Sequence, residues 1–304
     1  MPSASALFGF LNLNKPAGVS SRDIVNRVQK VVRPLRTGHA GTLDPLATGV
    51  LLVCVGDATR LVSRLQELPK TYVAEFLLGQ SSDTDDSTGS IREQSVAGLV
   101  PDEASVLAGL RQFTGVISQI PPAFSAVHVS GRRAYDLARR GEVPELQPRE
   151  VTVHSIQLLR YEWPVLRLKI ECSSGTYIRS IARDLGKVLG CGGLMSCLER
   201  TAIGPFHVQD SLDPEGLTAA TVERGLISPL RIVDGLPQYV CTADDIHSLR
   251  CGRQLVVVTQ QLRPPQVLVP GSSVALVTED PLQLCAVAEV SDSQLLQPRL
   301  VFLH

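Results

Sequence analysis

The spacing of apolar positions changes several times along the 304 residues. Residues 8–13 read as a short strand. Ser20 and Ser21 then offer a helix N-cap, followed by Ile24, Val25, Val28, Val31 and Val32 at helical spacing until Pro34 stops the run. Residues 50–55 are wholly apolar and predict a buried strand, and Ala58, Leu61, Val62 and Leu65 predict a helix. From Tyr72 to Leu78 the pattern has period two, placing Tyr72, Ala74, Phe76 and Leu78 on one side of a strand. Residues 80–95 are polar and acidic and are expected to form an exposed loop. A helix is expected from Pro101, with Asp102 and Glu103 in its first turn, where the helix dipole favours acids. Residues 151–159 and 165–172 form an expected strand pair about Trp163-Pro164, and residues 178–189 an amphipathic helix.

After about residue 235 the texture becomes short β-rich runs broken by Pro and Gly. Strands and helices mix without regular βαβ alternation, so the predicted class is α+β. A large domain over residues 1–235 is expected, followed by a small β domain over 236–304.

Composition narrows the chemistry. Hydrophobic residues make up 44% and the net charge is −1, an ordinary globular balance. The seven cysteines form no CxxC pair and the six histidines no HxxxH pair, so no metal site is expected and the thiols read as reduced. The N-terminus lacks a basic leader, and its apolar stretch is too short to span a bilayer. A cytoplasmic monomer without membrane association is the expectation. Charge is unevenly spread. Residues 1–70 carry nine Lys/Arg against four Asp/Glu, residues 71–120 two against seven, and residues 121–200 twelve against eight. If the two basic segments converge, they form a track for a polyanion; if not, they are ordinary solvated faces.

One loop concentrates candidate chemistry. Residues 38–49, GHAGTLDPLATG, hold three glycines and an Asp-Pro step. Pro45 restricts Asp44 to an extended or turn conformation. Such a carboxylate suits a nucleophile or base, and equally a turn that bonds its own backbone. The whole string resembles the signature of TruB-type pseudouridine synthases, in which the Asp attacks the target nucleoside. Further matches follow in the same order: LNLNKPAGVSS (11–21), Lys70-Thr71-Tyr72 leading to Leu78-Gly79, the insertion IPPAFSAVHVSGRRAYDLARRG (120–141), SSGTYIRSI (173–181) and the strand of 189–206.

The resemblance implies isomerisation of uridine-55 in the T arm of tRNA by base flipping. Asp44 is then the nucleophile, Arg179 its charge partner, and Tyr72 a stacking residue that also helps remove a proton. Tyr177 and Leu198 line the base pocket, His39 contacts the RNA, and Lys15 supports the site. Arg132, Arg133, Arg139 and Arg140 of the insertion grip phosphates, expected as two stripes on a helix. The resemblance also implies that residues 1–235 fold as a mixed, mostly antiparallel sheet of the pseudouridine synthase type with flanking helices, and the small β domain resembles a PUA domain. The reaction breaks a C–N bond and forms a C–C bond to the same sugar, with no group entering or leaving, so no cofactor is expected. Two rivals stand beside this reading: a guide-RNA-dependent synthase, and a non-catalytic protein that binds or folds tRNA.

Overall fold

The computed structural model describes residues 7–94, 100–125, 127–129, 132–133, 137, 140–142 and 145–303. In chain order its first part contains β1 (Gly9–Lys15), β2 (Thr37–His39), β3 (Thr48–Val55), β4 (Lys70–Leu78), a hairpin of β5 (Gln80–Ser82) and β6 (Ile91–Glu93), and β7 (Gly115–Gln119). An antiparallel pair of β8 (His128–Val129) and β9 (Arg132–Arg133) follows, then β10 (Arg149–Glu162), β11 (Val165–Cys172), β12 (Gly193–Ile203) and β13 (Phe206–His207). Seven of these strands lie side by side in the order β1-β3-β12-β4-β11-β10-β7, with β2 and β13 on its flanks. All its pairings are antiparallel except β3 with β12. The mixed, mostly antiparallel sheet that the resemblance implies is therefore present.

Burial explains the register. In β4 every second residue from Lys70 to Leu78 is buried, so Tyr72, Ala74, Phe76 and Leu78 face one layer, as the alternation predicts. The helix Ile178–Val188 covers that face and packs Ile181, Ala182 and Leu185 against Phe76, Leu168 and Met195. On the other side of the molecule the helix Ser21–Val32 buries Ile24, Val25 and Val28 against β1 and β3. Ser20 caps this helix: its hydroxyl accepts from the Asp23 N–H, and the Asp23 carboxylate accepts from the Ser20 N–H.

A second, six-stranded sheet runs β15-β19-β18-β17-β14-β16, built from β14 (Gln238–Val240), β15 (Leu255–Val256), β16 (Leu262–Arg263), β17 (Ser273–Thr278), β18 (Gln283–Val290) and β19 (Leu295–Val301). This is the expected PUA-like β region. It meets the first sheet's layer through Leu61, Leu230 and Val233, which pack with Val277, Leu284 and Phe302. The Arg60 guanidinium covers the Phe302 ring at 5.4 Å and donates to the Val301 carbonyl at 2.7 Å. Among the described residues no helix is long and apolar enough to cross a membrane.

Three local expectations need correction. Residues 80–94 are a hairpin docked on β12, where the Met195 N–H donates to the Asp85 carbonyl at 3.1 Å, and Asp86 is buried. Asp102 precedes its helix as the cap, accepting from the Ser105 N–H, and the helix itself is Glu103–Arg111. Arg132 and Arg133 belong to a strand paired with His128–Val129, so they do not form helical stripes with later arginines. Val127 and Val129 flanking His128, followed by Ser-Gly in the sequence, favour strand and turn over helix.

Candidate active site

The loop between β2 and β3 is held from below by buried polar groups. The Ser21 hydroxyl accepts from the Leu43 N–H at 2.9 Å and donates to the Leu43 carbonyl at 3.1 Å. Lys15, fully buried on β1, donates to the carbonyls of Pro16, Val19 and Pro45. Burial pushes the Lys15 ammonium down to about 8, against an opposing pull from Asp44. Arg200, only 1% exposed on β12, donates from Nε to the Val50 carbonyl at 2.7 Å and from Nη2 to the Gly41 carbonyl at 3.1 Å. These carbonyls lie at opposite ends of the loop. Gly49, at φ +98°, lies so close to the Arg200 backbone that a Cβ would fall 2.2 Å from its carbonyl oxygen, so only glycine fits.

Held in this way, Asp44 projects toward Arg179 in the first turn of the helix Ile178–Val188. Arg179 Nη2 donates to Asp44 Oδ1 at 3.2 Å, and Nε lies 3.0 Å from Oδ2 as an ion pair without hydrogen-bond alignment. The guanidinium also faces Asp86 Oδ2 at 3.4 Å and donates to the carbonyls of Thr84 and Phe124, both at 3.1 Å. A helix N-terminus is an unfavourable place for a cation, and the two carboxylates offset that cost. Asp86 is fixed in turn. Its Oδ1 accepts from the Thr88 N–H and from the hydroxyls of Thr84 and Thr88, all within 2.9 Å. Burial pushes the Asp44 carboxyl above the usual carboxylate range; Arg179 and Lys15 pull it back, and Asp86 adds to the rise.

Asp44 and Arg179 open onto a cavity of about 750 Å³ lined also by Leu43, Tyr72, Tyr177, Ile178, Leu198 and Arg200. Tyr72 of β4 lies opposite Arg200 of β12. Burial raises its phenol above the ordinary tyrosine value, and Arg200 opposes that rise. Leu198 packs with Leu43 and Tyr72 in the apolar wall. Tyr177 is clasped by Gln119 of β7, whose Oε1 accepts from the Tyr177 N–H at 2.8 Å and whose Nε2 donates to the Tyr177 carbonyl at 3.0 Å. Among the described residues no cluster of three His, Cys, Asp or Glu side chains is arranged to hold a metal.

The structure thus gathers Asp44, Tyr72, Arg179, Tyr177 and Leu198 around one cavity, with Lys15 beneath the loop. His39 does not line it. It sits half-buried on β2, where burial, then Arg22 and Arg200, lower its imidazole below the ordinary value. Of the insertion arginines, Arg140 is exposed, Arg132 and Arg133 are described as strand only, and Arg139 lies outside the described residues. Sequence reasoning missed Asp86, Gln119, Arg149 and Arg200. Asp86 carried a signal, an acid flanked by Thr84 and Thr88 hydroxyls, but its acidic surroundings suggested solvent. The other three are polar residues within strands, and only tertiary pairing reveals what they face.

A carboxylate held against a buried guanidinium, at the mouth of a cavity walled by aromatic and aliphatic side chains, marks an enzyme that acts on a planar apolar-faced group through a carboxylate. Residues 29–178 match the family model described as the TruB family pseudouridylate synthase N-terminal domain. Residues 179–231 match that of the tRNA pseudouridylate synthase B C-terminal domain. The chain is 42% identical over 301 residues to tRNA pseudouridine synthase B of Microcystis aeruginosa, covering 97% of this chain and 99% of that one. It is 44% identical over 253 residues to tRNA pseudouridine synthase B of Dehalococcoides mccartyi, covering 82% and 84%. Among solved structures, an H/ACA RNP bound to a substrate RNA containing 2'-deoxyuridine contains a chain that matches with a TM-score of 0.69 at 25% identity, covering 98% of this chain and 86% of that one. The chain belongs to the TruB family of pseudouridine synthases. It is therefore an isomerase.

Proposed function

We propose that this tRNA pseudouridine synthase converts uridine to pseudouridine at position 55 in the T arm of tRNA, with Asp44 as the nucleophile. The observation that carries the reading is the Asp44 carboxylate itself, held by Arg179 at the edge of a cavity with Tyr72, Tyr177 and Leu198 on its walls. A base within folded RNA is unreachable, so the target nucleotide leaves its stack and enters this cavity. Unstacking costs a few kcal/mol, which aromatic contacts and hydrogen bonds in the pocket offset. Arg179 orients Asp44 and favours its ionised form. The carboxylate either attacks the sugar C1′ or drives elimination across it. In the first case a bond from C1′ to the Asp44 carboxylate replaces the C1′–N1 bond; in the second the carboxylate takes the C2′ proton as the C1′–N1 bond breaks. The base turns and C5 bonds to C1′ as the carboxylate leaves it, or as the C2′ proton returns; the C5 proton then leaves and N1 takes up a proton, so the product is an isomer of the substrate. Tyr72 supports the base in the pocket and stands beside the path of that proton. In the same reading His39, Arg132, Arg133, Arg139 and Arg140 contact the RNA outside the cavity. Residues 1–235 form the catalytic domain and 236–304 the PUA-like domain.

The structural likeness to an H/ACA ribonucleoprotein favours, as a second reading, a synthase directed by a guide RNA. The relatives at 42% and 44% identity, both named tRNA pseudouridine synthase B, weigh against it. Incubating the purified protein with an isolated T-arm hairpin separates the two. Conversion of the hairpin without any second RNA supports the first reading. Conversion only when a pairing guide strand is supplied supports the second.

A further inference from the structure

Arg149 is a cation at the edge of the cavity with no acidic partner among the described residues. It opens β10, directly opposite Gln119 of β7, the residue that clasps the Tyr177 backbone. Its guanidinium lies over the Tyr177 ring, 4.5 Å from the centroid, and donates to the Gly175 carbonyl. The Nε–H is buried and has no hydrogen-bond partner among the described residues. Among the described residues no carboxylate lies within ion-pair distance, although Arg183, a few ångströms along the same helix face as Arg179, has two. The guanidinium, the hydroxyl-bearing Ser173, Ser174 and Thr176, and Gly175 all line the same cavity as Asp44.

This arrangement is built. Gln119 is 2% exposed and fixes Tyr177 from both sides of its peptide unit, and the ring then supports one face of the guanidinium. With Nη2 donating to Gly175 and Nε buried, the stacked guanidinium turns its Nη1 N–H groups and a delocalised, positionally fixed charge toward an anion, which a flexible ammonium cannot reproduce. A nucleotide that enters the cavity brings backbone phosphates to its edge, and these are the anions available there. Phosphate contacts fix register and orientation without reading sequence.

We propose that Arg149 is a phosphate-binding residue. It grips a backbone phosphate beside the flipped nucleotide while its stacked face holds the Tyr177 ring against the pocket. The proposal rests on the reading of the cavity as an RNA site. The ligand class is an RNA phosphodiester, and the subsite comprises Arg149 with the Ser173–Thr176 turn.

The test measures tRNA affinity at four salt concentrations for the wild type, Arg149→Gln and Arg149→Lys, with thermal melting to verify folding and single-turnover conversion at saturating enzyme. Arg149→Gln is expected to weaken binding three- to tenfold at low salt. The slope of log affinity against log salt should become shallower by about 0.7–0.9, the loss of one phosphate contact. Arg149→Lys should keep most of the salt slope while losing affinity, because the charge stays and the planar, stacked geometry goes. Conversion at saturation should fall by less than affinity does. An unchanged affinity and slope in Arg149→Gln overturns the proposal. So does a drop in conversion with affinity and slope intact, which would make Arg149 only a support for Tyr177. Binding is read without turnover, so failure of the wild type to convert position 55 would count against the proposed reaction and leave the Arg149 result standing.

Discussion

Replacing Arg179 with Met tests the charge balance of the site. Arg179 is the cation between two carboxylates, at 3.0 Å from Asp44 and 3.4 Å from Asp86. The substitution leaves both acids facing each other in a desolvated pocket and strands the Thr84 and Phe124 carbonyls that accepted its N–H groups. Breaking a buried ion pair by removing one partner costs about 3–5 kcal/mol. Asp86 is almost wholly buried, with a side chain 4% exposed, whereas that of Asp44 is 34% exposed. Water therefore relieves one acid and not the other, which places the cost at roughly 3–4 kcal/mol, in the lower part of that range. For a domain of this size each kcal/mol lowers the melting temperature by roughly 2–4 °C, so a fall of about 6–16 °C is expected at pH 7.5. The penalty requires charge on Asp44, whose carboxyl burial raises, so it shrinks as pH falls and Asp44 takes up a proton. Thermal melts of wild type and Arg179→Met at pH 5 and pH 7.5 give the readout, with Arg179→Lys as a milder variant. Single-turnover conversion should drop by about 10²-fold or more at pH 7.5. A loss of stability below about 1 kcal/mol, or one equal at both pH values, would refute this account of the Asp44–Arg179–Asp86 group.

Other consequences follow from the same geometry. Because burial raises the Asp44 carboxyl, the acid limb of the single-turnover rate should lie above the ordinary carboxylate value, and a limb at or below that value contradicts the assignment. Folding favours the protonated form of a group raised in this way. That stabilisation is full below the unfolded pKa and is lost as pH rises through the folded one, so Asp44→Asn should melt higher than wild type at pH 7.5 and match it in acid. Replacing Arg132, Arg133, Arg139 and Arg140 together with Gln should weaken tRNA binding and flatten its salt dependence while the fold survives; unchanged affinity and slope return the insertion to an ordinary solvated segment. Dialysis against EDTA should leave conversion of a folded T-arm hairpin intact, and restoration by Zn²⁺ after a loss would show a metal requirement.

Much of the catalytic sheet was legible because its signals are local. The period-two run of β4 fixes which side of Tyr72 and Phe76 is buried, and the Ser20–Asp23 capping box starts a helix wherever the apolar stripe follows it. The Asp44 loop was legible through its resemblance to a family signature, not through its spacing, since an Asp-Pro step alone also describes a turn. What the sequence hid was long-range polar pairing. Asp86 meets Arg179 across 93 positions, and Arg200 reaches Gly41 across 159. An acidic run next to threonines gives no sign that one member turns inward. An arginine in a strand gives none that it is 1% exposed and bonded to two loop carbonyls. Arg132 and Arg133 were misread because their spacing to Arg139 and Arg140 suggested helical stripes, whereas both pair as a strand with His128–Val129.

The central claim is that Asp44 carries out the isomerisation of one uridine in the T arm. Purified wild type and Asp44→Asn are each given an unmodified tRNA transcript, and pseudouridine is mapped at every uridine, with tRNA affinity measured alongside. Conversion at position 55 by the wild type is expected, together with none above trace deamidation by Asp44→Asn and an affinity within a few-fold of wild type. Conversion by Asp44→Asn at a rate comparable to wild type, or wild-type conversion confined to other positions, would contradict the claim.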